Sequence, residues 1–206
     1  MTRPALPRRR CLLALAAAAL LAPAHANTPW PAKPIKVIVN FPAGGAADQI
    51  ARAISQPLQE SLKQPVVIEN RAGANGNLGG ETVARAPADG YTLLMSSGGM
   101  VSVNPHLYSR MSFDHAKDLV PVAAAARVLV FLVTRPSLPP ANVKEFISYV
   151  KANPGKLSYG SPGNGSSPHL AGEMLNAMAG THNVHLPYRG AAPALQDLLA
   201  GQIQFL

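Results

Sequence analysis

The sequence predicts an α/β fold built on mostly parallel strands, and three observations predict it. Short runs rich in β-branched residues end in glycine-rich turns. Each such turn opens an apolar rhythm of helical spacing. The same strand, turn and helix order then recurs along the 206 residues. Residues 35–52, IKVIVNFPAGGAADQIAR, set the pattern. Ile35, Val37 and Val39 alternate with Lys36 and Ile38, as a buried or half-buried strand would. Pro42-Ala43-Gly44-Gly45 breaks the strand, and from Asp48 a helix with Ile50, Ala51, Ile54 and Leu58 on one face is predicted. A strand feeding a glycine turn and then a helix leaves backbone N–H groups at the positive end of the helix dipole, a ready anion site. Taken alone, the stretch is better explained as a plain βα turn whose glycines permit positive φ.

In chain order, Pro57 is expected to kink or split the first helix. Pro65-Val66-Val67-Ile68-Glu69 reads as a second strand, followed by a long Gly/Asn turn and a helix over residues 78–86 with Asn77 as a possible N-cap. Pro87-Ala88-Asp89-Gly90 is a turn signal, and Tyr91-Thr92-Leu93-Leu94-Met95 is a third strand ending in the polar turn Ser96-Ser97-Gly98-Gly99. Residues 101–118 read as irregular. The apolar residues 120–133 read as a strand passing into a second part of the chain. There, Asn142-Val143-Lys144-Glu145 resembles a capping box for a helix with Val143, Phe146, Ile147 and Val150 inward. Leu157-Ser158-Tyr159-Gly160 is a strand, residues 161–168 (SPGNGSSP) a second glycine–serine turn, and residues 169–179 a helix with Leu170, Met174, Leu175 and Met178 inward. A strand over residues 184–188, a helix over 192–200 closed by Gly201, and the start of another strand at Gln202 complete the series. If the two parts face each other, residues 42–46, 96–99 and 161–167 converge on one cleft at the C-terminal ends of strands.

Composition narrows the function. The formal charge is +8, but Arg3, Arg8, Arg9 and Arg10 precede residue 27 and no acid does, leaving 14 basic against 10 acidic residues. Without a basic run in that remainder, a nucleic-acid surface gains little support. The first 26 residues read as a secretory signal: Arg8-Arg9-Arg10, an apolar run from Cys11 to Leu21, and Ala24-His25-Ala26 as the cleavage site. Arg9-Arg10 leaves open both general and twin-arginine export. Cys11 is the one cysteine, so the processed chain is expected to hold no disulfide, thiolate metal site or cysteine nucleophile.

Several motifs fail on spacing. The turn at residues 73–79 runs G-x-x-G-x-x-G, which is not the dinucleotide fingerprint, and no G-x-x-x-x-G-K-[ST] exists. Tyr159-Gly160-Ser161-Pro162-Gly163 misses the esterase elbow because Tyr159 occupies its first glycine position. A Ser161, His169 and Asp197 triad is conceivable, as is a His182/His185 metal pair, but these residue types co-occur freely. His169 at a helix start is as readily a capping side chain as a ligand donor. Asp48 reads first as a helix-start carboxylate.

Five segments taken together say more: FPAGGAADQIAR, QPVVIENRAGANGNLGGETVARAPADGYTLL, NPHLYSRMSFD, LSYGSPGNGSSPHLAGEM and HLPYRGAAPALQDLLAGQI. From about Trp30 to Leu206 the chain resembles the Bug-type substrate-binding proteins of tripartite tricarboxylate transporters, with the segments in the family's order. The resemblance implies a two-lobed type II periplasmic binding protein: a signal peptide over 1–26, a first α/β lobe over 27–125 and an incomplete second lobe over 126–206. It implies a periplasmic, monomeric, non-catalytic protein that captures a small carboxylate and hands it to a large and a small membrane subunit, with no cofactor and no metal. Binding roles carry over onto Gly44, Gly45, Ala46 and Asp48, onto Ser96 and Ser97, and onto Ser161, Asn164, Gly165, Ser166 and His169. Where the family usually has a third glycine and then Ser or Thr, this chain has Ala46-Ala47, which removes a hydroxyl contact. The resemblance also implies a C-terminal truncation of about a third, since family members continue well beyond Gln202. Two other functions remain to be weighed, a secreted serine hydrolase using Ser161 and a ligand sensor for a membrane signalling receptor.

Overall fold

The structure is a computed structural model that describes residues 29–206. The expected signal peptide and its cleavage after Ala26 lie outside the described residues. The elements below belong to the compact unit formed by residues 33–206.

The first sheet has the order β2-β1-β3 and is parallel throughout, with β1 (Ile35–Val39) central, β2 (Val66–Asn70) on one side and β3 (Thr92–Met95) on the other. Val37 aligns with Ile68 and with Leu93. Ile38, the alternate residue, is 1% exposed and as buried as Ile35. A central parallel strand covered on both faces gives such a continuous apolar run. Lys36 stays exposed and pairs with Glu69 across the strand boundary at 3.2 Å.

Helix α1 (Ala46–Leu62) begins two residues before Asp48 and runs through Pro57 without splitting. The N–H that Pro57 lacks would have met the carbonyl of Ala53, and both residues are exposed, so that carbonyl faces solvent. Helix α2 (Asn77–Ala84) is capped by Gly76, and the expected Asn77 cap is not formed. Asn77 is buried instead, and its Oδ1 accepts from Asn104 Nδ2 at 2.7 Å. Glycine lets α2 lie close to its neighbours, since a Cβ on Gly80 would sit 2.5 Å from Phe113 Cζ.

The irregular segment expected over 101–118 holds short helices: α3 (Gly98–Ser102), α4 (Asn104–Leu107) and α5 (His115–Asp118). Asn104-Pro105 starts a turn of helix, because proline is pre-set for the first helical position. Asp114 caps α5 by accepting from Ala116 N–H at 3.0 Å. Gly98 and Gly99 are therefore helical, and the polar turn ends at Ser97.

The second sheet pairs β4 (Ser158–Ser161) with β5 (Val184–Pro187) in parallel. Its core is Leu138, Phe146, Val150, Leu157, Tyr159 and Phe205. Helix α6 (Val143–Ala152) starts at the expected capping box: Asn142 Oδ1 accepts from Glu145 N–H at 3.0 Å and Glu145 Oε2 accepts from Ala141 N–H at 2.9 Å. Phe146 and Val150 point inward, but Val143 is 57% exposed. Helix α7 (Ser167–Ala179) turns Leu175 toward the core and leaves Met174 and Met178 exposed, against expectation. Glu173 stays exposed on that helix, and the Tyr159 hydroxyl donates to its Oε1 at 2.7 Å. Helix α8 (Ala191–Leu199) ends at Ala200, and Gly201 follows in the left-handed conformation expected of it.

Residues 120–132 are not a strand. Val120, Val122 and Phe131 are 85%, 81% and 69% exposed. Pairing begins at Val133, whose N–H donates to Leu206 O at 3.1 Å and whose carbonyl accepts from Leu206 N–H at 2.9 Å. The apolar pattern marks residues suited to a sheet, but a strand also needs an adjacent ladder, and none of the described residues supplies one. An extended, apolar, unpaired segment is a self-association surface. Replacing Leu129 and Phe131 with serine should reduce the aggregated fraction of this 206-residue chain in sedimentation at equal concentration. An unchanged distribution would show that the segment does not mediate association.

Candidate functional site

The first turn links β1 to α1 and is held by a buried carboxylate. Asp48 is 2% exposed. Its Oδ2 accepts from Gly44 N–H at 2.9 Å and from Arg52 Nε at 3.0 Å, and its Oδ1 accepts from Asn70 Nδ2 at 2.9 Å. Asn70 also donates to the Phe41 carbonyl at 3.1 Å, tying the end of β2 to the same turn. The Arg52 hydrogen bond, followed by the Gly44 and Asn70 bonds, holds the Asp48 carboxyl down at about 2 despite burial. Asp48 therefore orients the turn, and its negative charge is met by Arg52. Gly44 adopts φ +79°, which a side chain would resist. The N–H groups of Ala46, Ala47 and Asp48 precede the first helical bond, from Gln49 N–H to Gly45 O at 3.0 Å. No side chain caps that end.

The second turn links β4 to α7 and is held by neutral groups. The Ser166 hydroxyl donates to Gly163 O at 2.7 Å and accepts from His169 N–H at 3.4 Å. Gly165 N–H donates to His169 Nδ1 at 3.0 Å. Ser161 is fully buried, with its Oγ 2.7 Å from His185 Nε2 and 3.2 Å from Gly163 N, which donates to it. The His169 and His185 rings stack, centroids 3.9 Å apart. Burial, and then the neighbouring His169, pull the His185 pKa down, with Glu173 opposing weakly. Both serine hydroxyls thus shape the turn. The conceivable triad does not form: the histidine on Ser161 is His185, and Asp197 instead accepts from the Tyr188 hydroxyl at 2.7 Å. Burial and that bond push the Tyr188 pKa up to about 12.

The second turn packs beside the first sheet through glycines. A Cβ on Gly165 would lie 2.6 Å from Leu107 Cδ1 and 3.2 Å from Asn75 Nδ2, so the second turn rests against the helices and turn flanking the first sheet. A Cβ on Gly99 would lie 3.8 Å from Gly165 O. Behind this contact, Asn75 Nδ2 donates to Asn104 Oδ1 at 2.7 Å, and Asn104 is fully buried. Ser96 Oγ accepts from the buried Asn40 Nδ2 at 2.8 Å, while Ser97 is exposed. Gly44, Ala46 and Asn164 are exposed, and Gly45 and His169 are half-buried.

Sequence reasoning missed the turn after β5. Tyr188 N–H donates to Ser161 O at 2.9 Å and Gly190 N–H to Pro162 O at 3.2 Å. A Cβ on Gly190 would stand 3.2 Å from Pro42 Cγ, so this turn reaches the first one. The signal was available: Arg189-Gly190-Ala191 is again a strand, a glycine turn and a helix start, and it adds an exposed arginine beside the site. Among the described residues no group of three His, Cys, Asp or Glu side chains is placed to hold a metal ion.

Residues 50–206 match the family described as the tripartite tricarboxylate transporter family receptor, TctC. The chain is 40% identical over 190 residues to Protein BugT of Bordetella pertussis, covering 92% of this chain and 58% of that protein. It is 41% identical over 201 residues to a UPF0065 protein from the tcbD-tcbE intergenic region of Pseudomonas sp. strain P51, covering 97% and 60%. Among solved structures it is similar to Rpa4515 of R. palustris with adipate, at TM-score 0.83 and 39% identity over 85% of this chain and 59% of that one. It is also similar to the periplasmic binding protein BugD, at TM-score 0.76 and 35% identity over 85% and 58%, and to MatC from Rhodopseudomonas palustris with bound malate, at TM-score 0.74 and 33% identity over 85% and 60%. The α/β fold is thus that of periplasmic binding proteins, and the chain spans about three fifths of the length of these relatives.

Asp48→Asn should cost about 1–3 kcal/mol, the loss of charge-assisted bonds to a buried acceptor. The pH profile carries the signature. The folded carboxyl sits at about 2 against an ordinary 3.8, so its contribution is complete above 3.8 and disappears as pH falls toward 2. Denaturation of wild type and variant at neutral pH should differ, and the difference should vanish in acid. A constant difference would assign the loss to shape alone.

Proposed function

The chain belongs to the tripartite tricarboxylate transporter receptor family, and on that premise we propose that it captures a small carboxylate between its converging turns and delivers it to a tripartite transporter. One observation supports this reading most: turns at the C-terminal ends of parallel strands in the two sheets come together, Gly190 after β5 against Pro42 after β1, and Gly165 after β4 against Leu107, Asn75 and Gly99. Gly44 and Gly45 shape the turn that presents the Ala46 and Ala47 N–H groups at the start of α1, and Ser96 and Ser97 add hydroxyls. Ser161, Gly165, Ser166 and His169 set the opposing turn, where Asn164 is exposed. Asp48 serves this site by fixing Gly44. A carboxylate held in this way is met by backbone donors at helix N-termini, with each charge-assisted bond contributing about 1.5–3 kcal/mol. The relatives solved with adipate and with malate support a carboxylate as the solute.

The rest of the reading follows from the same premise. The two sheets form the cores of two lobes, residues 27–125 and 126–206, that close on the solute. The protein acts as a periplasmic monomer released by cleavage after Ala26, and its partners are the large and small membrane subunits. It performs no catalysis. The burial of Ser161 speaks against an acyl-enzyme route, because a substrate carbonyl would have to reach a hydroxyl enclosed by Gly163 and His185.

Calorimetry against mono-, di- and tricarboxylates tests the proposal. At least one should bind, and Ser166→Ala and Gly45→Pro should each weaken it by about tenfold or more. Ser166→Ala removes the cap of α7, and Gly45→Pro removes the donor to Pro42 O. Lys36→Ala, which breaks only the pair with Glu69, should have little effect. Binding of neutral sugars or amines alone would overturn it.

A further inference from the structure

His169 stands at a junction that carboxylate binding alone does not require. Its Nδ1 accepts the Gly165 N–H at 3.0 Å, which a neutral imidazole protonated at Nε2 can do and an imidazolium cannot. Gly165 is the residue through which the second turn touches Leu107, Asn75 and Gly99. His185 of β5 stacks on His169 with centroids 3.9 Å apart, so two positive charges there would repel strongly. Tyr159 of β4 lies under His185 at 4.9 Å, and its hydroxyl donates to Glu173 of α7, the acid nearest the pair in this arrangement.

We propose that this histidine pair makes solute release proton-linked: a proton on His169 Nδ1 removes the acceptor of Gly165 N–H, loosens the second turn and parts it from the first sheet's side of the cleft. The closed turn then binds one proton fewer than the open one. By linkage, acid favours the open form, and affinity falls by up to about tenfold per pH unit below the titration. Burial, and then the adjoining His169, disfavour a proton on His185, so the stack takes one charge more readily than two. A direct ion pair between imidazolium and solute would give the opposite sign, with affinity rising in acid. The cleft turns would thereby respond to an acidic surface or compartment, a release signal independent of the membrane subunits.

The affinity arm of the test rests on the carboxylate reading above, and the amide arm does not. In the ligand-free protein, Gly165 amide protection is followed by hydrogen exchange between about pH 7.5 and pH 5, spanning ordinary histidine titration. Protection should fall at least about tenfold in wild type. In His169→Asn, where Oδ1 replaces Nδ1 as a non-titrating acceptor, it should not change with pH. Should that variant fail to fold, the ¹⁵N ring shifts of wild-type His169 decide: Nδ1 bare and Nε2 protonated at about pH 7.5 support the proposal, and the reverse tautomer overturns it. Adipate is the probe in the affinity arm, with the wild-type affinity falling in acid more steeply than that of His169→Asn. A pH-independent Gly165 amide in wild type, the same dependence in His169→Asn, or adipate affinity that rises in acid each overturn it. If adipate and its homologues bind nowhere in the range, the carboxylate reading fails while the amide result still decides the proton linkage.

Discussion

The architecture depends on a backbone-to-side-chain approach at Gly165. The residue has φ +76° and sits where a Cβ would run into Leu107 and crowd Asn75. Glycine is required there twice, once for the left-handed backbone and once for the space. Because the second turn comes this close, it packs on Leu107, Asn75 and Gly99 beside the first sheet, while Gly190 brings the turn after β5 against Pro42.

The two turns are built from different chemistry toward the same end. Asp48, Arg52 and Asn70 hold the first with a compensated charge, and every oxygen of the carboxylate is engaged. An uncompensated carboxylate there would repel any anion that approached the turn. Ser161, Ser166, His169 and His185 hold the second through hydrogen bonds, with no carboxylate among them.

Much of this was legible in the sequence, and the failures share a cause. The β-branched runs at residues 35–39 and 66–70 and the glycines after them mark strands and turns because those residue types report on their own backbone. The capping box at Asn142 and the stop at Gly201 are equally local. Misread features depend on partners distant in sequence. Asn77 resembles an N-cap until Asn104 is placed beside it. Met174 and Met178 fit an inward stripe until the core is seen to take only Leu175 from that helix. Residues 120–132 have a strand's composition and no strand beside them. In the site, spacing placed Ser161, Ser166 and His169 in one turn, but only the fold brings His185 to Ser161 and Gly190 to Pro42.

The central claim is that one anion engages backbone donors from both turns at once. The most direct measurement is a titration of the ¹⁵N-labelled protein with a dicarboxylate that binds it, following the amide signals of Ala46 and Ala47 at the start of α1 together with Asn164 and Ser167 in the second turn. The account predicts downfield amide-proton shifts in both groups along a single binding curve, as charge-assisted hydrogen bonds form. Shifts confined to one turn, or separate curves for the two, would contradict it.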